Sequence, residues 1–184
     1  MSYPRTPNQK WNASNLNQGY YGDYQPFSFV DGPGVRHSLY VSGCPFSCPG
    51  CYNQSLQSFR AGQPFTQEIH NRIIADLGHP SVQGLSLLGG EPMLATNILL
   101  PLVKDVRKTY AHTKDIWVWT GYTYQTISGQ DKLELLSLCD VLVDGPYIKE
   151  QHNSNLPFRG SDNQRLIDIK QGLSEKNITP LKLP

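Results

Sequence analysis

Three thiols within eight residues, in Cys44-Pro45-Phe46-Ser47-Cys48-Pro49-Gly50-Cys51, constrain this chain more than any other feature. Their spacing is C-x3-C-x2-C, and thiols this close in a chain without secretory features are more often metal ligands than disulfide partners. Pro45, Pro49 and Gly50 suit a loop that wraps irregularly instead of running on as a strand. A structural zinc site takes four protein ligands, and a [4Fe–4S] cube normally takes four cysteines. Three cysteines therefore leave one corner of a metal group open, and an open corner is where chemistry can occur.

The fourth cysteine has a different setting. Cys139 precedes the apolar run Val141-Leu142-Val143, which reads as a buried parallel strand. The triad instead follows the alternating run Val35 to Ser42 and so sits at a strand's C-terminal end. If both strands share one parallel sheet, Cys139 lies at the opposite edge, roughly 15 Å away at about 3.3 Å per residue. It is expected to be a small buried hydrophobe.

Beyond this loop the chain alternates strand and helix. Tyr20 to Phe29 reads as a short irregular strand, followed by the turn Asp31-Gly32-Pro33-Gly34 and the strand before the triad. Thr66 opens a helix with Ile69, Ile73, Ile74 and Leu77 on one face, ending at Gly78. Gln83 to Leu88 is a strand running into Gly89-Gly90-Glu91-Pro92, where glycines let backbone approach a small ligand and a carboxylate can receive an ammonium. Ile98 to Tyr110 is a second helix, with Pro101 expected in its first turn. Ile116 to Thr120 is a strand ending in Gly121-Tyr122; Leu133 to Leu138 is helical; Asp140 to Asp144 is a strand ending in Gly145-Pro146-Tyr147. After Lys149 the chain turns polar, with at most a short helix over Ile167 to Leu173. His70 and His79 are expected to be solvated.

Such alternation argues for an α/β fold with a parallel sheet and right-handed crossovers. The cysteine loop, Gly-Gly-Glu-Pro, Thr-Gly-Tyr and Asp-Gly-Pro-Tyr each follow a strand directly, and that edge of a parallel sheet is where ligands bind. Too few strands are present to close an eight-stranded barrel. The expected fold is therefore a single-domain, partial (open) parallel β/α barrel over residues 20–184, with a wide lateral mouth that suits a macromolecular substrate. Residues 1–19, rich in Asn, Gln and Pro and without apolar periodicity, read as a flexible N-terminal extension.

Composition narrows the function classes. Sixteen basic and fifteen acidic residues give a net charge of +1 with no run of either sign, so nothing calls for nucleic acid or an anionic membrane. No apolar stretch approaches the ~20 residues of a membrane span, and the N-terminus lacks the apolar core of a signal peptide. A cytoplasmic, reducing location is expected.

The C-x3-C-x2-C spacing resembles the signature of the radical S-adenosylmethionine superfamily. Asp31-Gly32-Pro33-Gly34-Val35-Arg36, Val41-Ser42-Gly43-Cys44 and Tyr52-Asn53 resemble the glycyl-radical-enzyme activases within it. Trp119-Thr120-Gly121-Tyr122, Val143-Asp144-Gly145-Pro146-Tyr147 and Arg159-Gly160-Ser161-Asp162-Asn163-Gln164-Arg165 are most similar to those that act on anaerobic ribonucleoside-triphosphate reductase. The resemblance covers about residues 20 to 170. It implies that Cys44, Cys48 and Cys51 hold a [4Fe–4S] cluster whose open iron takes S-adenosyl-L-methionine. It also implies that Gly50, Cys51 and Tyr52 border the nucleoside, that Gly89, Gly90 and Glu91 hold the methionine amino group, and that Thr120 and Asp144 contribute from their strand ends. The implied partners are the reductase large subunit, whose glycine would become a glycyl radical, and a one-electron donor such as reduced flavodoxin. The resemblance further implies that Arg36 and its turn support the cluster end. Asp144 can equally be a structural carboxylate, and the Arg159–Arg165 stretch either a solvated loop or a recognition surface. Activation of another glycyl radical enzyme of the pyruvate formate-lyase type, another small radical S-adenosylmethionine enzyme, a plain electron-transfer protein and a zinc-binding interaction module stay open at this point.

Overall fold

The computed structural model describes residues 6–8, 10–169 and 180–181. Seven strands form one sheet: β1 (Tyr20–Ser28), β2 (Val35–Val41), β3 (Gln63–Pro64), β4 (Val82–Gly89), β5 (Asp115–Trp119), β6 (Val141–Asp144) and β7 (Arg165–Asp168). Their order is β3-β1-β2-β4-β5-β6-β7, and the sheet is not closed. The centre, β2-β4-β5-β6, is parallel. The edges depart from the expected all-parallel sheet, because β1 and β3 on one side and β7 on the other run antiparallel. Among the described residues four α-helices, α1 (Ala13–Leu16), α2 (Gln67–Leu77), α3 (Thr96–Tyr110) and α4 (Gln130–Ser137), accompany the sheet. Among the described residues no helix is long and apolar enough to cross a membrane.

Strict alternation along the parallel strands separates two faces. Leu39, Val41, Leu85, Leu87, Ile116, Val118 and Leu142 join Ile73, Leu99, Leu102, Val106 and Leu135 in the main core. That face is covered by helices. Trp117, Val141, Val143 and Leu166 face the other way and are packed by Trp119, Phe158 and Leu181 from strand ends and loops. Among the described residues no helix closes this second face, where a cleft of about 720 Å³ is lined by Tyr40, Leu88 and Trp119 together with loop residues.

Arg36 lies on the same second face, fully buried, at the N-terminal half of β2 and therefore away from the cysteine loop. Its Nε donates to Ser86 Oγ (2.8 Å), its Nη2 to Leu85 O (3.1 Å), and Nη2 pairs with Asp115 Oδ1 at 2.6 Å. The guanidinium also stacks over Trp117 at 5.3 Å from the ring centroid. Its charge is met by the protein's own carboxylate, so this side chain pins β2, β4 and β5 together.

Four further departures have identifiable causes. Residues 165–168 form β7 where the sequence suggests at most a short helix over 167–173; Leu166 and Ile167 are buried on opposite faces, a run too short to show periodicity, and residues 170–173 lie outside the described set. Pro101 falls in the second turn of α3, because the helix starts at Thr96, ahead of its apolar stripe. His70 is buried, its Nε2 2.9 Å from Asp105 Oδ2 across the α2–α3 contact, so it is not solvated. Finally, the described part of the N-terminal stretch is packed where a flexible extension is expected. Asn12 accepts from Asn15 N–H to cap α1, Ala13 is buried, and Trp11 meets Phe46 edge-on at 5.4 Å. One turn of helix and one aromatic ring are too little to register as a pattern in the sequence.

Candidate functional site

The C-terminal ends of β2, β4, β5 and β6 converge on one recess, as the strand–loop pattern leads one to expect. Cys44, Cys48 and Cys51 line it together with Gly89, Gly90, Glu91, Thr120 and Gly145. The cysteine loop leaves β2 through Gly43 and is stitched to the following segment: Gly43 N–H donates to Leu56 O (2.8 Å) and Cys44 N–H to Gln57 O (3.0 Å). Gly50 takes a positive φ of 73° and turns the chain so that Cys51 N–H donates to Cys48 O (3.2 Å). All three thiols are free and partly buried. Burial raises the Cys44 thiol above its ordinary range and pushes Cys48 up to about 11, so metal loading must displace their protons.

Three thiols and no fourth cysteine nearby form a donor set that fits a [4Fe–4S] cube with one open iron. Among the described residues no group of three His, Cys, Asp or Glu side chains converges tightly enough to hold one metal ion. Three separate sulfurs around one recess suit a cube, whose corners are separate irons, and Cys139 is not available as a fourth ligand. Its buried Sγ donates to Leu135 O (3.3 Å) within the main core, ahead of β6.

Next to the thiols, the Gly-Gly-Glu turn is built on contact with the cysteine loop's own backbone. Gly90 N–H donates to Val41 O (2.7 Å) and Glu91 N–H to Gly43 O (2.8 Å). A Cβ at Gly90 would lie 2.6 Å from Gly43 O, and one at Gly89 2.7 Å from the Val41 N and O atoms. Both glycines are therefore required by the protein's internal fit, before any ligand is considered.

Glu91 joins three loops. It is buried, and its Oε1 accepts from Met93 N–H (2.9 Å) and Thr120 Oγ–H (2.7 Å), while Oε2 accepts from Gly121 N–H (2.8 Å). Burial pushes its carboxyl up to about 7, with these three hydrogen bonds opposing the shift. Three of about four acceptor positions are spent on the protein. One acceptor position, on Oε2, is left. Thr120 in turn accepts from Tyr122 N–H (3.1 Å), so its hydroxyl is committed to the Glu91 network.

Asp144 is fully buried at the end of β6 and is occupied by the chain itself. Oδ1 accepts from Arg165 Nε (2.9 Å), Oδ2 accepts from Tyr124 N–H (2.7 Å), and Arg165 Nη2 closes a bidentate pair on Oδ2. Tyr52, by contrast, is 77% exposed; it sits on the rim of the large cleft, 6.0 Å from the Tyr147 ring and 6.4 Å from His152.

The Arg159–Arg165 stretch is neither solvated nor free for recognition along its whole length. Gln164 Nε2 donates to Gly145 O (3.0 Å), Asn163 Nδ2 donates to Pro146 O (2.8 Å), and Gln164 Oε1 accepts from Gly160 N–H (2.8 Å). The stretch clamps the Gly145-Pro146-Tyr147 loop against the recess. Arg159 remains on the cleft wall, its Nη1 donating to Gln164 O (3.1 Å). Sequence reasoning missed Phe46, which is buried, lines the recess and stands edge-on to Tyr122 at 5.3 Å. Its place between two cysteines was the signal available.

Comparison with known proteins agrees with this geometry. A family described as a 4Fe-4S single cluster domain matches residues 30–167. A protein of Vibrio cholerae named anaerobic ribonucleoside-triphosphate reductase-activating protein is 48% identical over 148 residues, covering 78% of this chain and 94% of the relative. Proteins with the same name from Escherichia coli K12 (42% over 148 residues, 78% and 95% covered) and from phage T4 (42% over 155 residues, 83% and 96% covered) are similar as well.

Proposed function

Since this chain belongs to the family of anaerobic ribonucleoside-triphosphate reductase-activating proteins, we propose that it activates that reductase as a radical S-adenosylmethionine enzyme, with a [4Fe–4S] cluster held by Cys44, Cys48 and Cys51. The observation that carries this reading is the single recess in which three free thiols meet the Gly-Gly-Glu turn and the Thr120-Gly121 loop. When bound, the reduced cluster supplies one electron to the sulfonium of S-adenosylmethionine, which splits into methionine and a 5′-deoxyadenosyl radical that takes an α-hydrogen from a reductase glycine.

The chain's own residues bind, orient and exclude. The Gly89-Gly90-Glu91 turn would offer backbone acceptors and the last acceptor position of Glu91 to an ammonium. Gly50, Cys51 and Tyr52 would border the nucleoside, with Tyr52 beside the cleft through which a reductase segment would enter. Thr120 and Asp144 act from behind by fixing the loops that line the recess. We read the open sheet as a partial barrel of the radical S-adenosylmethionine type, residues 20–184 as the activase domain, reduced flavodoxin or a similar protein as the electron donor, and the cytoplasm as the location.

The test is anaerobic reconstitution with iron and sulfide, followed by S-adenosylmethionine cleavage with dithionite in the presence and absence of the reductase. A glycyl radical detected on the reductase by electron paramagnetic resonance is the expected result. A colourless protein holding stoichiometric zinc, or a cluster that never cleaves S-adenosylmethionine, would overturn the reading.

A further inference from the structure

The segment ahead of β1 lies outside the residues matched by the cluster-domain family, yet it is built into the back of the recess. Trp11 meets Phe46 edge-on at 5.4 Å, and Phe46 meets Tyr122 edge-on at 5.3 Å. Phe46 sits between Cys44 and Cys48, is 1% exposed and lines the recess together with the three thiols while packing against Trp11. A Cβ on Gly121 would come within 2.9 Å of the same ring, so Phe46 is held tightly from the β5 side as well.

Trp11 is itself anchored. Lys132, 4% exposed, donates from Nζ to Trp11 O (3.1 Å), and Trp11 N–H donates to Asn8 O (2.9 Å). The following turn, α1, is capped by Asn12, which accepts from Asn15 N–H (2.9 Å) and from Ser14 Oγ–H (2.8 Å). It packs against α3 and against Pro92–Leu94, the short helical turn that continues the Gly-Gly-Glu motif. One short segment therefore touches both halves of the site: the cysteine loop through Phe46, and the methionine turn through Pro92–Leu94.

We propose that residues 10–17 are a brace for the cluster loop and that Trp11 is a positioning residue acting through Phe46. Phe46 is the one buried residue between Cys44 and Cys51: Ser47 is exposed with a positive φ of 52°, and Cys48 and Pro49 are only partly buried. Without Trp11 the Phe46 ring loses one of its two aromatic neighbours, and the sulfurs on either side of it gain freedom. The brace slows opening of the loop and so retains iron. The role of the metal in this inference rests on the function proposed above; the ordering of the loop does not.

Three variants test it: Trp11→Ala, Trp11→Phe as the conservative replacement, and Asn12→Ala, which loosens α1 without touching Phe46. In the metal-free protein, hydrogen exchange at Cys44 to Cys51 should be about tenfold faster in Trp11→Ala while the amides of β4 and β5 stay as in wild type. After reconstitution, release of iron to a chelator should quicken about tenfold, and the electron paramagnetic resonance spectrum of the reduced cluster should broaden. Trp11→Phe should restore most of both properties, and Asn12→Ala should fall between. Wild-type exchange at the loop together with wild-type iron release in Trp11→Ala would overturn the brace. Should Trp11→Ala fail to fold, Asn12→Ala decides by the same two measurements. Faster exchange in a protein whose wild type never takes up iron would support the brace and overturn the cluster reading instead.

Discussion

Replacing Gly90 with alanine discriminates between two uses of the same glycine. The sequence suggests that Gly90 is there to let a ligand approach; the structure shows that it is there to let the Gly43 backbone approach. An added Cβ would sit 2.6 Å from Gly43 O and 2.9 Å from its C and N atoms, against an ordinary contact of about 3.5 Å. The two segments cannot simply part, because Gly90 N–H donates to Val41 O (2.7 Å) and Glu91 N–H donates to Gly43 O (2.8 Å). Overpacking of this kind costs about 1–3 kcal/mol, and stretching one of those hydrogen bonds adds about 1 kcal/mol, for about 2–4 kcal/mol in all. In a chain of this size that lowers Tm by about 5–15 °C. Cys44 follows Gly43 directly, so the strain reaches one of the three thiols proposed to hold the cluster. We expect Gly90→Ala to show a lower Tm by circular dichroism in the metal-free protein and less iron after reconstitution. A variant with wild-type Tm and iron content but tenfold weaker S-adenosylmethionine binding, measured by equilibrium titration, would refute this reasoning and return Gly90 to the ligand.

Alanine at Cys44, Cys48 or Cys51 should abolish or damage the iron–sulfur absorbance near roughly 400 nm; Cys139→Ala should keep it while costing about 1–2 kcal/mol of stability for the emptied core position, and loss of the cluster in that variant would contradict the placement of Cys139. Arg165→Met leaves Asp144 charged, buried and without its bidentate partner, and should cost about 2–4 kcal/mol in urea denaturation; adding Asp144→Asn should recover part of that loss, and wild-type stability of the single variant would show the pair to be idle. Burial lowers the pKa of His37, whose Nδ1 accepts from Phe27 N–H. The folded protein therefore keeps this ring neutral, while the unfolded chain takes a proton below about pH 6.5. Its stabilising contribution is present above that pH and is lost as pH falls through the lowered folded value. His37→Gln, which retains an acceptor, should flatten this part of the pH dependence in the metal-free protein; an unchanged slope would argue against it.

The parallel centre and the gathering of four loops at one edge were legible in the sequence because they rest on repeated signals: apolar runs of strand length, each followed by a glycine-containing turn. The cysteine loop, the Gly-Gly-Glu turn and Thr120 meet where that pattern places them. The antiparallel edges were not legible: β3 has two residues and β7 four, too few for any period to register, and β1 reads as a strand without showing its direction. Individual roles were harder still. Asp144 and Arg165 stand 21 residues apart and belong to separate motifs, yet each is the other's partner. Glu91, Thr120 and Gly121 are likewise one network from two motifs. Sequence identifies the donors and acceptors of such a site; only the register of the strands decides which of them are left over for a ligand.

The two margins of the sheet carry a consequence for how this molecule meets others. One ends in β3, whose Pro64 has no N–H to offer a further strand. At the other, Pro180 bridges to Ile167, and Leu181 N–H donates to Leu166 O (2.9 Å), so β7 is shielded by the chain's own later residues. An unclosed sheet with bare margins invites edge-to-edge polymerisation, and here a proline at one margin and the chain's own later residues at the other shorten the stretch open to such pairing. Around the cleft, by contrast, side chains such as Val30 and Tyr52 stand exposed. A surface of side chains offers shape and residue chemistry, which can discriminate one polypeptide from another in a way that backbone pairing cannot.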